Sequence, residues 1–193
     1  MGARHETLVQ VVVVLTFAPA GDSLIDMSDS SAKPDNPAVA RVLNDIAGIL
    51  EFKDENAFKI RSYRTAAETI ETLYDQVAEL TERGGAAELQ KIQGIGKGIS
   101  AQIVEVVETG KSSYFEELTR DVPATVLDLR RVSGIGLRTA QLLYRDFGIK
   151  SLAELKVFTE GGGLTSVPGL GEKTAARVKA SIARIEARPI GEL

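Results

Sequence analysis

Three short segments of this 193-residue chain repeat one arrangement suited to holding an anion. They are Gln93-Gly94-Ile95-Gly96-Lys97-Gly98-Ile99, Ser133-Gly134-Ile135-Gly136-Leu137-Arg138-Thr139 and Pro168-Gly169-Leu170-Gly171-Glu172-Lys173-Thr174. In each, two glycines flank one apolar residue, and a cation (Lys97, Arg138, Lys173) follows within two positions. Glycine allows a tight turn with positive φ and lets an anion approach the backbone. The apolar residue (Ile95, Ile135, Leu170) pins the turn inward. The first N–H groups of the next helix have no partner within that helix and sit at its positive end, a natural seat for a phosphate. The nearby cation adds a charge-assisted contact. The candidate contact residues are Gly94, Ile95, Gly96, Lys97 and Gly98, then Gly134, Ile135, Gly136, Arg138 and Thr139, then Gly169, Gly171, Lys173 and Thr174. Outward carbonyls of Ile92, Ile95, Val132 and Ile135 offer a seat for K+ or Na+ bridging to a phosphate oxygen.

A single Gly-x-Gly turn need do no more than join two helices. Three copies, with first glycines 40 and 35 residues apart and matching apolar and basic positions, argue instead for a repeated unit. No strand pattern precedes any copy, which excludes a dinucleotide-binding turn.

The elements that must position these turns are helices. Asn36-Pro37 reads as an N-cap followed by proline in the first turn. Val39, Val42, Leu43, Ile46, Ile49 and Leu50 then form a helical stripe. A second helix is predicted from near Asn56, with Phe58, Tyr63, Ala66, Ala67, Ile70, Leu73 and Tyr74 on its apolar face. Arg83-Gly84-Gly85 interrupts the pattern, Gly110 and Gly148 suit left-handed helix ends, and Pro123 opens a helix. Ser151 and Glu154 have capping-box spacing. The predicted fold class is all-α, built from short helices.

Composition narrows the chemistry. The chain has no Cys, which excludes disulfides, thiolate metal sites and Cys nucleophiles, and its one His is His5, which argues against His-based metal or triad chemistry. With no Trp and 5% aromatics, base stacking is not the main binding device. The formal net charge is −4, carried as −7 over residues 1–88, +2 over 89–150 and +1 over 151–193. A polyanion site must therefore be local and draw on main-chain donors rather than bulk positive charge.

The N-terminal stretch admits three readings. Leu8 to Ala18 is an apolar run too short to span a bilayer as a helix, and the Ala-Pro-Ala that ends it resembles an export-signal end. Its valines would also suit a packed strand. The favoured reading takes Met27, rather than Met1, as the natural start and residues 1–26, with the signal-like run at 8–20, as spurious or non-native sequence, giving a cytoplasmic, nucleoid-associated protein without a membrane span.

The triple pattern resembles helix-hairpin-helix DNA-binding motifs, and the order of elements resembles the N-terminal region of family X DNA polymerases of the bacterial and archaeal type. Residues 36–80, with Asn56-Ala-Phe-Lys-Ile-Arg-Ser-Tyr-Arg-Thr-Ala-Ala67, resemble the start of that family's lyase-type domain. Residues 89–118, with Thr109-Gly110-Lys111, resemble its first hairpin, and residues 131–152 its fingers-type second hairpin. Ahead of these segments, residues 1–35 are expected to be a disordered or loosely packed extension, and the resemblance implies a lyase-type domain over 36–120 with the first hairpin and a fingers-type domain over 121–193 holding the second and third hairpins. It also implies a 5′-phosphate pocket at Lys59, Tyr63, Arg64 and Lys111. The alternative for Lys59, Arg61 and Arg64 is a solvated helix face, and for Tyr63 a place in the core.

Two departures limit what carries over. The family's nucleotidyl transfer needs a palm domain with paired metal-binding aspartates, and no Asp-x-Asp occurs here, so Mg2+ chemistry is expected only with a palm elsewhere. The family's Schiff-base lysine falls on Gln102, and an amide cannot form that adduct, so no catalytic residue is assigned. A companion lysine falls on Gly98. The expected function is sequence-nonspecific binding of gapped, nicked or 5′-phosphorylated DNA in base excision repair, by a monomer. The alternatives are part of a split or truncated polymerase with a catalytic partner chain, and a helix-hairpin-helix protein-interaction module.

Overall fold

The computed structural model describes residues 33–187. The apolar run at 8–18, both candidate starts and all but the last three residues of the expected extension lie outside them. Among the described residues there are helices and turns and no strand, as the periodicity predicts.

The helix α1 (Asn36–Phe52) is the centre of the first half. Val39, Leu43, Ile46, Ile49 and Leu50 are fully buried because α2 (Ala57–Glu71), α4 (Lys97–Thr109), α5 (Ser113–Leu118) and α6 (Val126–Leu129) all pack on it. Asp35, not Asn36, caps α1, its carboxylate accepting from the Ala38 N–H at 2.9 Å. Two adjacent residues before the proline can cap a helix, and the chain uses the earlier one. Asn36 is buried instead and works as a cross-link. Its amide donates to the carbonyls of Leu73 (3.3 Å) and Asp75 (3.0 Å), and its oxygen accepts from the Val77 N–H at 2.9 Å. It thereby fixes α1 to the link before α3 (Val77–Leu89).

The Asn56 side chain caps α2 through the Phe58 N–H at 2.8 Å, and Tyr63, Ala66, Ala67 and Ile70 face the core. Phe58 and Tyr74 do not, being 76% and 98% exposed. Phe58 lies five residues before Tyr63, roughly 140° around the helix from it, and its ring meets the Arg61 guanidinium at 5.7 Å instead. Tyr74 follows the end of α2, where helical periodicity no longer applies. The Gly84-Gly85 break is present, with Gly85 at φ 58, and it kinks α3.

The second half holds α6, α7 (Leu137–Phe147), α8 (Leu152–Glu160), a 3-10 turn (Gly163–Ser166) and α9 (Glu172–Glu186). Pro123 opens only a turn, its carbonyl accepting from Val126, where α6 begins. Gly110 and Gly148 end α4 and α7 in the left-handed conformation, as their spacing predicts. The box at α8 is shifted by one residue. Ser151 Oγ accepts from the Glu154 N–H, but the Glu154 carboxylate takes the Lys150 N–H at 2.6 Å.

Candidate nucleic-acid interface

The three glycine segments adopt one bend. In each, the N–H of the central apolar residue donates to the carbonyl three residues back: Ile95 to Ile92 at 3.1 Å, Ile135 to Val132 at 3.0 Å and Leu170 to Val167 at 3.1 Å. The first glycine has φ 91, 101 and 80 at Gly94, Gly134 and Gly169. A three-residue-back hydrogen bond with positive φ at the third position defines a type II turn, which requires glycine there. The apolar plugs are buried, at 3% exposure for Ile95, 4% for Ile135 and 8% for Leu170.

The second glycine is the N-cap of the next helix in all three. Gly96, Gly136 and Gly171 have extended backbone and no side-chain cap, so the first N–H groups of α4, α7 and α9 carry no side-chain acceptor. By contrast Asp35, Asn56, Ser112 and Ser151 cap α1, α2, α5 and α8 with side-chain oxygens. A Cβ at Gly96, Gly98, Gly136 or Gly171 would meet nothing within 4 Å, so these helix starts face open space. Lys97, Arg138 and Lys173 are exposed beside them.

The first glycines are less alike. A Cβ on Gly94 would stand 3.2 Å from Thr65 Cγ2 on α2, and one on Gly134 would stand 3.2 Å from Thr174 Cγ2 and 3.3 Å from Val178 Cγ2 on α9. These two therefore leave no room for a side chain at the turn. Thr174 accordingly turns its methyl toward the second bend. The Ser133 N–H of that bend also donates to Ser181 Oγ on α9 at 2.9 Å. Gly169 is open. Of the carbonyls suited to a monovalent cation, those of Ile92 and Val132 already accept the turn hydrogen bond.

Beside the first bend, Lys59, Ser62 and Tyr63 of α2 face Gly94, Gly96, Gly98 and Ile99 across a cleft of ≈ 350 Å³. Two of the four predicted pocket residues thus meet the predicted bend. Arg64 lies elsewhere, its Nη2 donating to Glu51 Oε2 at 2.7 Å, and Lys111 does not line the cleft.

Tyr114 is a neighbour that no sequence signal indicates. Its ring stacks on Tyr63 with centroids 6.1 Å apart, and Lys59 Nζ stands 5.0 Å from its centroid. Its hydroxyl is buried without a hydrogen-bond partner of ordinary geometry. Proximity to that hydroxyl, with the charges of Glu55 and Glu117 behind it, pushes the Lys59 ammonium up from its ordinary value against partial desolvation. Burial, and then Tyr114, pushes the Tyr63 phenol up to about 12.

Gln102 accepts the Ser112 hydroxyl at 2.8 Å, and that same hydroxyl caps α5 through Phe115. The amide at the position of the resembled lysine thus anchors a helix start. Among the described residues no group of acidic or histidine side chains is placed to hold a metal ion, and no helix is long and apolar enough to cross a membrane.

Paired helices joined by such bends define a helix-hairpin-helix architecture, and the chain carries it in both halves. A family model described as a helix-hairpin-helix domain matches residues 34–112, and one described as a SAM-like helix-hairpin-helix tandem matches 126–184. The chain is 28% identical to the DNA polymerase/3′-5′ exonuclease PolX of Bacillus subtilis (strain 168), over 78% of its own length and 25% of that protein. It is 35% identical to the DNA nucleotidylexotransferase of Ambystoma mexicanum, over 55% of this chain and 19% of the relative. Against the Holliday junction branch migration complex subunit RuvA of Bordetella avium (strain 197N), identity is 44% over 28% of this chain and 29% of the relative. The likenesses to the polymerase and the nucleotidylexotransferase are consistent with the N-terminal region of family X polymerases. The chain spans about a quarter of the length of the polymerase relative.

Proposed function

We propose that the chain binds DNA through its backbone phosphates, without reading sequence, and serves DNA repair. One observation carries this reading: three turns of the same geometry each aim an uncapped helix start, beside an exposed cation, at open space. Phosphate contacts of this kind position a protein on DNA and carry no base information. The first bend and Lys59 form a seat for a 5′-phosphate at a gap or nick, and the second and third bends grip the other strand. K+ or Na+ at the bend carbonyls would share those of Ile92 and Val132 with the turn. The polymerase-type relatives favour a second role for the same surface, as the DNA-binding part of a polymerase whose catalytic domain lies elsewhere. A cytoplasmic, monomeric protein fits either role.

Fluorescence anisotropy with intact, nicked and 5′-phosphorylated gapped duplexes, across a salt series, tests the proposal. About five phosphate contacts give a log–log salt slope of roughly −4 to −5, with the phosphorylated gap bound most tightly. A flat salt response refutes the reading. Borohydride trapping on an abasic 5′ end should give no cross-link at position 102, since Gln102 offers no amine.

A further inference from the structure

The two halves meet on one short stretch of chain. At the end of α1, Glu51 Oε2 accepts from Arg64 Nη2 at 2.7 Å and from Arg130 Nη1 at 2.6 Å. Arg64 precedes Thr65, which backs Gly94 of the first bend, and Arg130 ends α6 two residues before Val132, the turn acceptor of the second. One carboxylate oxygen therefore joins the helix behind the first bend to the segment that leads into the second. Just beyond it, the Gln141 amide on α7 donates to the Phe52 carbonyl at 2.9 Å and to Asp54 Oδ1 at 3.1 Å, and Arg145 Nη2 reaches Asp54 Oδ2 at 3.4 Å.

Asp54 holds φ 57, a positive value that no other non-glycine residue shares among those described. Such a conformation persists where the surroundings over-determine it. Apolar contacts back the polar ones. Gly48 leaves room for Leu127, whose Cδ2 would lie 3.0 Å from a Cβ there, and the Phe52 and Tyr144 rings meet edge-on at 5.6 Å.

Resting on the DNA-binding reading above, we infer that the 51–54 corner is a specificity determinant, which fixes the first and second bends at one separation. Two tethered sites reinforce each other when the ligand matches their spacing. An interrupted duplex can place a 5′ end in the Lys59 cleft while the opposite strand meets the second bend. A continuous duplex has no end to offer the cleft and forgoes that contact. The corner thus converts two nonspecific phosphate grips into recognition of a strand break. Arg64 and Arg130 act here as positioning residues, held by Glu51 rather than offered to DNA.

The test compares Glu51→Gln and Gln141→Ala with the unaltered chain, after thermal melts confirm folding. The readout is the ratio of Kd for intact duplex to Kd for 5′-phosphorylated gapped duplex. The ratio is expected to fall about tenfold in both variants, a fraction of the gain that tethering gives. Glu51→Gln also frees two guanidinium groups, so intact duplex should bind it more tightly with a steeper salt slope. Gln141→Ala changes no charge, so its fall in ratio must come from loosened geometry. A DNA-independent readout uses the absence of native cysteine: spin labels at Glu108→Cys and Ala153→Cys should show a broader distance distribution in Gln141→Ala. An unchanged ratio in both variants, or a fall confined to Glu51→Gln, overturns the inference. An unaltered chain that ignores salt and gaps instead sinks the DNA-binding reading, before any variant is made.

Discussion

The two glycines of one bend should separate folding from binding. Gly134 sits at φ 101, so alanine there adopts a left-handed conformation that costs about 1–2 kcal/mol. Its new Cβ would also press on Thr174 Cγ2 at 3.2 Å and Val178 Cγ2 at 3.3 Å. Gly134→Ala should therefore destabilise by about 2 kcal/mol in total and lower Tm by roughly 4–8 °C for a chain of this size. Gly136 has φ −88 and ψ 179, which any residue adopts, and open space around its Cβ. For Gly136→Val, the loss of a favourable cap residue and the gain from a stiffer unfolded chain nearly cancel, leaving stability within about 1 kcal/mol. The valine side chain, however, occupies the space a phosphate would need. Charge-assisted hydrogen bonds are worth about 1.5–3 kcal/mol, so its affinity for gapped DNA should fall by about tenfold to a hundredfold. Calorimetric melts and anisotropy titrations at one salt concentration measure both quantities. A Gly136→Val chain that is folded and binds as before refutes capture of phosphate at the bend.

Further outcomes follow from other sites. Lys59→Ala should abolish most of the preference for a 5′-phosphorylated over an unphosphorylated gap, by about tenfold, while intact duplex binding changes little. Tyrosine ionisation, read at 295 nm in a chain of 4 Tyr and no Trp, should show a late phase near pH 12 that Tyr63→Phe removes. Because the folded phenol holds its proton more tightly than the unfolded one, stability contributed by Tyr63 is intact below about pH 10 and lost as pH climbs through about 12. Gly163→Ala would place a Cβ 2.4 Å from Phe158 Cε2, and the displaced ring should lower stability by about 1–3 kcal/mol without affecting the first bend.

The bends were legible because their sequence is nearly dictated by their geometry. A type II turn needs glycine at its third position, a buried plug needs an apolar side chain, and an open helix start tolerates a second glycine. Helix ends at Gly110 and Gly148 were legible for the same backbone reason. What escaped depends on partners distant in sequence. Nothing in the α2 pattern says that Arg64 turns to Glu51 while Lys59, five residues earlier, turns to the cleft. The exposure of Phe58 depends on which side of α2 faces α1. The difference between Gly94 and Gly169 depends on whether a second helix lies behind the turn. Local rules fix φ and ψ, and the packing of elements decides which glycine is left for a ligand.

That division also explains how a chain of net charge −4 can present a surface for a polyanion. The ion pairs leave the cations of the helix starts free, although Lys91–Glu88 and Arg131–Asp128 adjoin the first and second bends. Glu51 takes Arg64 and Arg130, Asp54 takes Arg145, Asp121 takes Lys53, Glu82 takes Lys33 and Glu186 takes Lys156. Among the described residues, Lys59, Lys97, Arg138 and Lys173 have no carboxylate within ion-pair distance. Surface charges farther apart than a Debye length, about 8 Å at physiological salt, are largely screened from one another. A phosphate at the first or second bend, where no acidic residue stands in the first helical turn, therefore meets the local cation and the bare amides, while distant acidic residues contribute little. Raising the net charge at a site outside the bend segments, as in Glu79→Gln in the first turn of α3, should leave DNA affinity nearly unchanged at physiological salt. Replacing Arg138 by Gln should weaken binding and make the salt slope shallower by about one. If the two substitutions shift affinity equally, bulk charge rather than the bend governs binding.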